Sequence, residues 1–188
     1  MIDPIAKEVS KEFVAAVPTS QWCDSEWWHV YNLANKHRGL FAEKWLKELL
    51  KLEGYKVDKG IGSGKIVGKG CDLLVNDNIR VEAKLSFARI NQGTRKLCLD
   101  EFTWLHLDET TADVYALIGI NPDKHLDYHV RRGWRTEYEP YYIIYLLQED
   151  LEDLIEAGIT STIYGEWQLC GSFLQLINYG YDLRKFPY

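Results

Sequence analysis

Three side chains in one short stretch, "CDLLVNDNIRVEAKLS", have the types and spacing for phosphate chemistry: Asp72, Glu82 and Lys84. Cys71 to Val75 reads as a short buried strand and Ile79 to Phe87 as a second, with the turn composition Asn76-Asp77-Asn78 between them. A turn of those residues pairs Val75 with Ile79, Leu74 with Arg80 and Leu73 with Val81, which sets Asp72 opposite Glu82. Opposed residues have Cβ atoms about 4.5–5.5 Å apart, and like charges so placed repel. Side chains alternate along a strand, so Lys84 shares the face of Glu82, while Val81, Ala83 and Leu85 line the other face and can pack on a helix. Two facing carboxylates suit Mg²⁺, which commonly takes one or two of them and keeps waters and substrate phosphates as its other ligands. A dication there turns the repulsion into attraction, and a neighbouring ammonium can orient a water or stabilise a pentacovalent phosphate. That chemistry is metal-assisted hydrolysis of a phosphodiester.

The approach to Asp72, "GIGSGKIVGKG", is rich in glycine and lysine but is not a nucleotide-phosphate loop. Aligned to G-x-x-x-x-G-K-[ST] through Gly64-Lys65, it places Lys59 at the first glycine and Ile66 at the metal-binding hydroxyl. A strand follows where the motif requires a helix.

Other elements must hold this hairpin. The aromatic-rich "QWCDSEWWHVYNLANKHRG" predicts short helices capping the core, with Trp27, Trp28 and Trp45 as core residues. "LFAEKWLKELLKLEGY" carries Leu40, Phe41, Trp45, Leu46, Leu49 and Leu50 at helical spacing and ends at Gly54, with Glu43 at the edge of the apolar stripe. "YKVDKGIG" predicts a first strand before the hairpin. Residues 98–108, "CLDEFTWLHLD", read as a helix; 112–120 and 141–147 read as apolar strands; "QEDLEDLIEAG" reads as a helix ended by Gly158. Interleaved strands and helices predict an α/β domain in αβββαβ order, a central mixed sheet of four to five strands flanked by helices. No repeat or linker divides the chain, so residues 1–188 form one domain: an N-terminal helical extension over 1–38, a core over 39–158 and a C-terminal extension over 159–188.

Composition sets the outer bounds. A chain of 188 residues with 46% apolar and 27% charged residues is an ordinary globular domain. No apolar run reaches the roughly 18 residues of a membrane span, and the early acids of "MIDPIAKEVSKEF" predict a cytoplasmic protein. Cys23, Cys71, Cys98 and Cys170 form no C-x-x-C pair, which argues against structural zinc and a disulfide frame. His125 and His129 stand four apart, but the turn residues around them argue against a helical metal pair. A net charge of −6 opposes general polyanion binding. Cations nonetheless cluster at Lys56, Lys59, Lys65 and Lys69, at Lys84, Arg89, Arg95 and Lys96, and at Arg131, Arg132 and Arg135, so a locally basic groove is allowed. Lys65, Lys69, Gln92, Arg95 and Lys96 are candidates for contact with a nucleic-acid backbone, and Ser86 continues the face of Lys84 toward a phosphate.

"GCDLLVNDNIRVEAKLS", preceded by a helix bearing Glu43, resembles the active-site hairpin of the PD-(D/E)xK nuclease superfamily, the restriction-endonuclease-like fold. The resemblance covers Leu40 to about Ile120, with residues 141–155 as a closing strand and helix. It implies a metal site of Asp72, Glu82, the Ala83 carbonyl and Glu43, with Lys84 serving the water. Cys71 stands where the family usually has proline, and Gln92 is only a trace of the glutamine seen in some exonuclease branches. The implied activity is a Mg²⁺-dependent DNA endonuclease, with Mn²⁺ as a substitute, of restriction, homing, junction-resolving or phage type. Cutting both strands with one compact domain implies a homodimer. The alternative is a catalytically inactive nucleic-acid-binding or assembly protein on the same fold.

Overall fold

The computed structural model describes residues 2–14, 25–60, 70–90, 93, 97–98, 101–105, 107, 112–121, 140–156, 160–163, 166–172, 176 and 185–188. Helix α1 (Pro4–Ser10) starts at Asp3, whose carboxylate accepts the Ile5 and Ala6 N–H groups ahead of a proline at the first helical position. The same carboxylate also accepts from Trp45 Nε1 at 3.1 Å and from the Tyr141 hydroxyl at 3.2 Å. One N-cap thus fixes α1 to two elements of the core. A short helix, α2 (Trp28–Tyr31), follows.

Helix α3 (Asn35–Leu52) buries Phe41, Ala42, Trp45, Leu46 and Leu50, the apolar stripe expected from the spacing. It begins before the expected Leu40, which lies 38% exposed. It stops where Gly54 takes a φ of 97°, with Tyr55 N–H bonded to the Leu50 carbonyl and Gly54 N–H to that of Lys51. That pair of bonds closes a Schellman cap, which needs the left-handed residue that glycine supplies. Glu43 is half-buried at the stripe edge.

Strands β1 (Val57–Lys59), β2 (Leu73–Val75), β3 (Ile79–Phe87), β7 (Val114–Ile120) and β8 (Tyr141–Leu147) form a five-stranded mixed sheet in the order β1-β2-β3-β7-β8. Only the β3–β7 pairing is parallel. Val75 pairs with Ile79, Leu74 with Arg80 and Leu73 with Val81, the register expected from the turn. Asn76 and Asp77 carry positive φ values of 49° and 69°, a conformation asparagine and aspartate tolerate better than other side chains. One sheet face, with Val81, Ala83, Val114, Ala116 and Ile118, packs on α1, α2 and α3; Tyr115, Leu117, Tyr142, Ile144 and Leu146 pack on the other side. Strand β7 is buried along its whole length, as a central strand covered on both faces must be. Helix α4 (Gln148–Glu156) follows β8 directly.

Residues 98–108 correct the sequence reading. In place of a helix, the described part holds the end of β5 (Leu97–Cys98), which pairs with β4 (Arg89–Ile90), and then β6 (Glu101–Leu105). Phe102 and Trp104 are buried while Glu101 is exposed, a period of two rather than 3.6. Strand β6 pairs with β10 (Glu166–Ser172), which also pairs with β9 (Thr160–Ile163). The partner that makes a strand of β6 lies over sixty residues further on, out of reach of local spacing. The αβββαβ order is therefore interrupted: among the described residues, strands rather than a helix follow β3. The two extensions also join the body, since Ile2, Ala6, Trp27 and Phe186 belong to the α3 core and β10 completes the second sheet.

Candidate metal centre

The regular ladder ends at Leu73 and Val81, one residue short of the Asp72–Glu82 pair. From there Asp72 is held by its own polar groups. Its N–H donates to the Val81 carbonyl at 3.1 Å, its carbonyl accepts the Gly60 N–H at 2.8 Å, and its Oδ2 accepts the Ala83 N–H at 2.8 Å. The Asp72 and Glu82 carboxyl groups come within hydrogen-bonding reach of each other. Lys84 Nζ lies 2.8 Å from Glu82 Oε1, with side-chain exposures of only 18% and 8%. Asp72, Glu82 and Lys84 therefore converge on one side of the hairpin.

Burial pushes the Asp72 carboxyl up, and the Ala83 N–H, the Lys84 charge and the hydrogen bond with Glu82 work against that rise. Glu43 is pushed up to about 7, first by burial and then by the negative charges of Asp72 and Glu82, with Lys59 opposing. The α3 glutamate thus stands close enough to sense both hairpin carboxylates. Among the described residues no group of three or more His, Cys, Asp and Glu side chains is arranged to hold a metal ion. The donor set is a pair of carboxylates with a third nearby, and one or two carboxylates are what Mg²⁺ commonly takes from a protein. Lys84 offsets part of the repulsion between the two buried carboxyls, and a shared proton or a further cation would offset the rest. The residues present fit a hard dication.

Gly60, a residue the sequence reading did not single out, carries part of this geometry. A Cβ at Gly60 would sit 2.0 Å from the Cys71 carbonyl oxygen and 2.6 Å from the Asp72 carbonyl carbon, so no larger residue fits without moving the aspartate's backbone. The signal was present in "KGIGSG" but could not be told from loop glycine. Cys71, in the usual proline position, is buried and unpaired in any disulfide.

The other candidates separate. Ser86 is buried, accepts the Thr103 N–H at 3.0 Å and donates to the Phe87 carbonyl at 3.2 Å, so its hydroxyl serves the packing of β6 on β3. Trp27 and Trp45 are core residues, and Trp28 is half-buried. Lys65, Lys69, Gln92, Arg95, Lys96, the His125–His129 pair and the Arg131 to Arg135 cluster lie outside the described residues. A groove of about 430 Å³ opens beside the site, lined among others by Glu43, Asp72, Lys47 and Lys59. No family model, curated protein or solved structure matches the chain.

Proposed function

We propose that the protein is a divalent-metal-dependent nuclease with a restriction-endonuclease-like core, hydrolysing phosphodiester bonds of DNA. The observation that carries this reading is the meeting of the Asp72 and Glu82 carboxyls beside Lys84 Nζ. Asp72 and Glu82 would hold Mg²⁺, or Mn²⁺ in its place, with Glu43 beside the pair; the Ala83 carbonyl is the further ligand that the resemblance implies. When bound, the ion supplies Lewis-acid polarisation of the phosphate and offsets charge on the leaving oxygen.

The chain's own groups do the rest. The Ala83 N–H keeps the Asp72 carboxylate turned toward Glu82. Lys84, held by Glu82, presents its ammonium to an attacking water and to the equatorial phosphate oxygens. The water oxygen bonds to phosphorus and gives up a proton to solvent, the opposite P–O bond breaks, and the leaving oxygen takes up a proton from solvent, giving a phosphomonoester and a hydroxyl. A homodimer would bring two such sites to the two strands.

The test is incubation with supercoiled plasmid, linear duplex and branched DNA in Mg²⁺, Mn²⁺ or EDTA, with Lys84→Ala alongside. Cleavage should require the metal and fall by roughly 100-fold or more in the variant, the scale of a lost charge-stabilising donor. Cleavage that survives EDTA, or that is equal in the variant, sinks the proposal; DNA binding without cleavage under any condition would move the protein to the non-catalytic reading.

A further inference from the structure

The groove beside the carboxylates runs between α3 and the end of β1. Lys44, Lys47 and Lys51 line its helical side, and Lys59 lines the strand side. Two of these lysines are already engaged. Lys44 is ion-paired with Glu12, and Lys51 with Glu48 at 2.8 Å. Lys47 and Lys59 make no ion pair among the described residues. Lys47 is four residues beyond Glu43, hence on the same helix face. Lys59 pairs with Leu73 across the sheet, which brings it next to Asp72, and its charge reaches the Glu43 carboxyl. Two lysines with no ion pair among the described residues therefore flank the mouth of the carboxylate site, one from the helix and one from the strand. Leu40, 38% exposed in the same groove, adds apolar surface on which a sugar or base can lie.

We propose that this groove seats a single strand of nucleic acid leading into the Asp72–Glu82 site, with Lys47 and Lys59 holding the phosphates next to the one cleaved; this rests on the nuclease reading above. The volume of about 430 Å³ sets the choice of a single strand. It lies within the roughly 300–1,000 Å³ of pockets that enclose a small molecule, enough for a nucleotide unit. A whole duplex, with a major groove alone about 12 Å wide, does not fit inside it, so of a duplex being cut only the strand under attack would lie in each groove. The four lysines of the groove balance its four carboxylates, so affinity depends on these two lysines rather than on a general positive field.

The experiment is fluorescence anisotropy of a labelled oligothymidylate and of a hairpin duplex, in EDTA, across a salt series. It compares wild type, the double variant Lys47→Gln/Lys59→Gln, and Lys51→Gln as a control on a paired lysine. Each single-strand phosphate contact contributes about 0.7 to the log–log salt slope, so the double variant should lose about 1.4 from the slope and roughly tenfold in affinity. The Lys51→Gln protein should bind as wild type does. An unchanged slope and affinity in the double variant, no oligothymidylate binding by wild type, or preference for the duplex would each overturn the inference. Because EDTA removes hydrolysis from the measurement, the two ideas fail separately: plasmid cleavage lost in Lys84→Ala with binding indifferent to the lysines keeps the nuclease and discards the groove.

Discussion

Glu43 is the residue whose chemistry most depends on its neighbours. Its carboxyl titrates near 7 in the fold against 4.5 for the unperturbed group. Between those values the folded state binds the extra proton, so stability falls as pH rises from 4.5 to 7 and the cost is fully present above 7. Replacing Glu43 with glutamine removes that cost. Glu43→Gln should match wild type near pH 4.5 and exceed it at pH 8 by on the order of 1 kcal/mol, after discounting for solvent screening of a half-buried group. Urea unfolding at the two pH values in EDTA measures this; an equal gap at both would show that burial and the neighbouring charges do not raise the Glu43 titration. The carboxylate types and their spacing were legible from the chain, as was the stripe-edge place of Glu43. The neutral-range titration was not, because it comes from burial and from two charges supplied by other elements.

At the scale of elements, the β1–β2 edge shows how backbone positions a functional group. Gly60 passes so close to Cys71 and Asp72 that its N–H reaches the Asp72 carbonyl. Gly60→Ala should displace the Asp72 carboxylate and break its bond with the Ala83 N–H, at a cost of about 1–3 kcal/mol from the forced backbone shift. The amide resonance and exchange rate of Ala83 report on it directly: an unperturbed Ala83 amide in a folded variant would refute the positioning role. The hairpin itself was readable because its turn fixes the register locally. Strand β6 was not. Phe102 and Trp104 gain their alternation from pairing with β10, and Gly119 leaves room for the Phe102 ring, since a Cβ there would lie 2.8 Å from it. Such partners are invisible in an eleven-residue window.

For the whole molecule, the site is the junction of separate parts: α3 brings Glu43, β1 and the residue after it bring Lys59 and Gly60, and the β2–β3 hairpin with the residue before it brings Asp72, Glu82 and Lys84. A ligand that binds this junction only when folded must stabilise the entire chain. At a Mg²⁺ or Mn²⁺ concentration about 100 times its Kd the gain is about 2.7 kcal/mol. For a protein of this size that corresponds to a Tm rise of roughly 5–10 °C. Asp72→Asn should abolish the rise, and because protons compete for the carboxylates the rise should grow with pH up to about 7, the value given for Glu43. Differential scanning fluorimetry in Mg²⁺ and in EDTA checks it. An equal rise in wild type and Asp72→Asn would place the ion elsewhere. No helix of the described residues is long and apolar enough to cross a membrane.

The chain by itself determined what local physics can determine. The α3 stripe with its glycine stop and the Asn76-Asp77-Asn78 turn with the register that follows from it rest on contacts within a few residues, and β7 and β8 were legible because each is a continuous apolar run. Tertiary structure alone decided the rest. It broke the ladder at Asp72 so that the carboxylate meets the Ala83 N–H, made Ser86 a packing hydroxyl, turned residues 101–105 into a strand, and brought Lys47 and Lys59 to one groove. Each of those outcomes depends on a partner far away in sequence. Spacing along a chain records which side chains share a face, not which distant face they will meet.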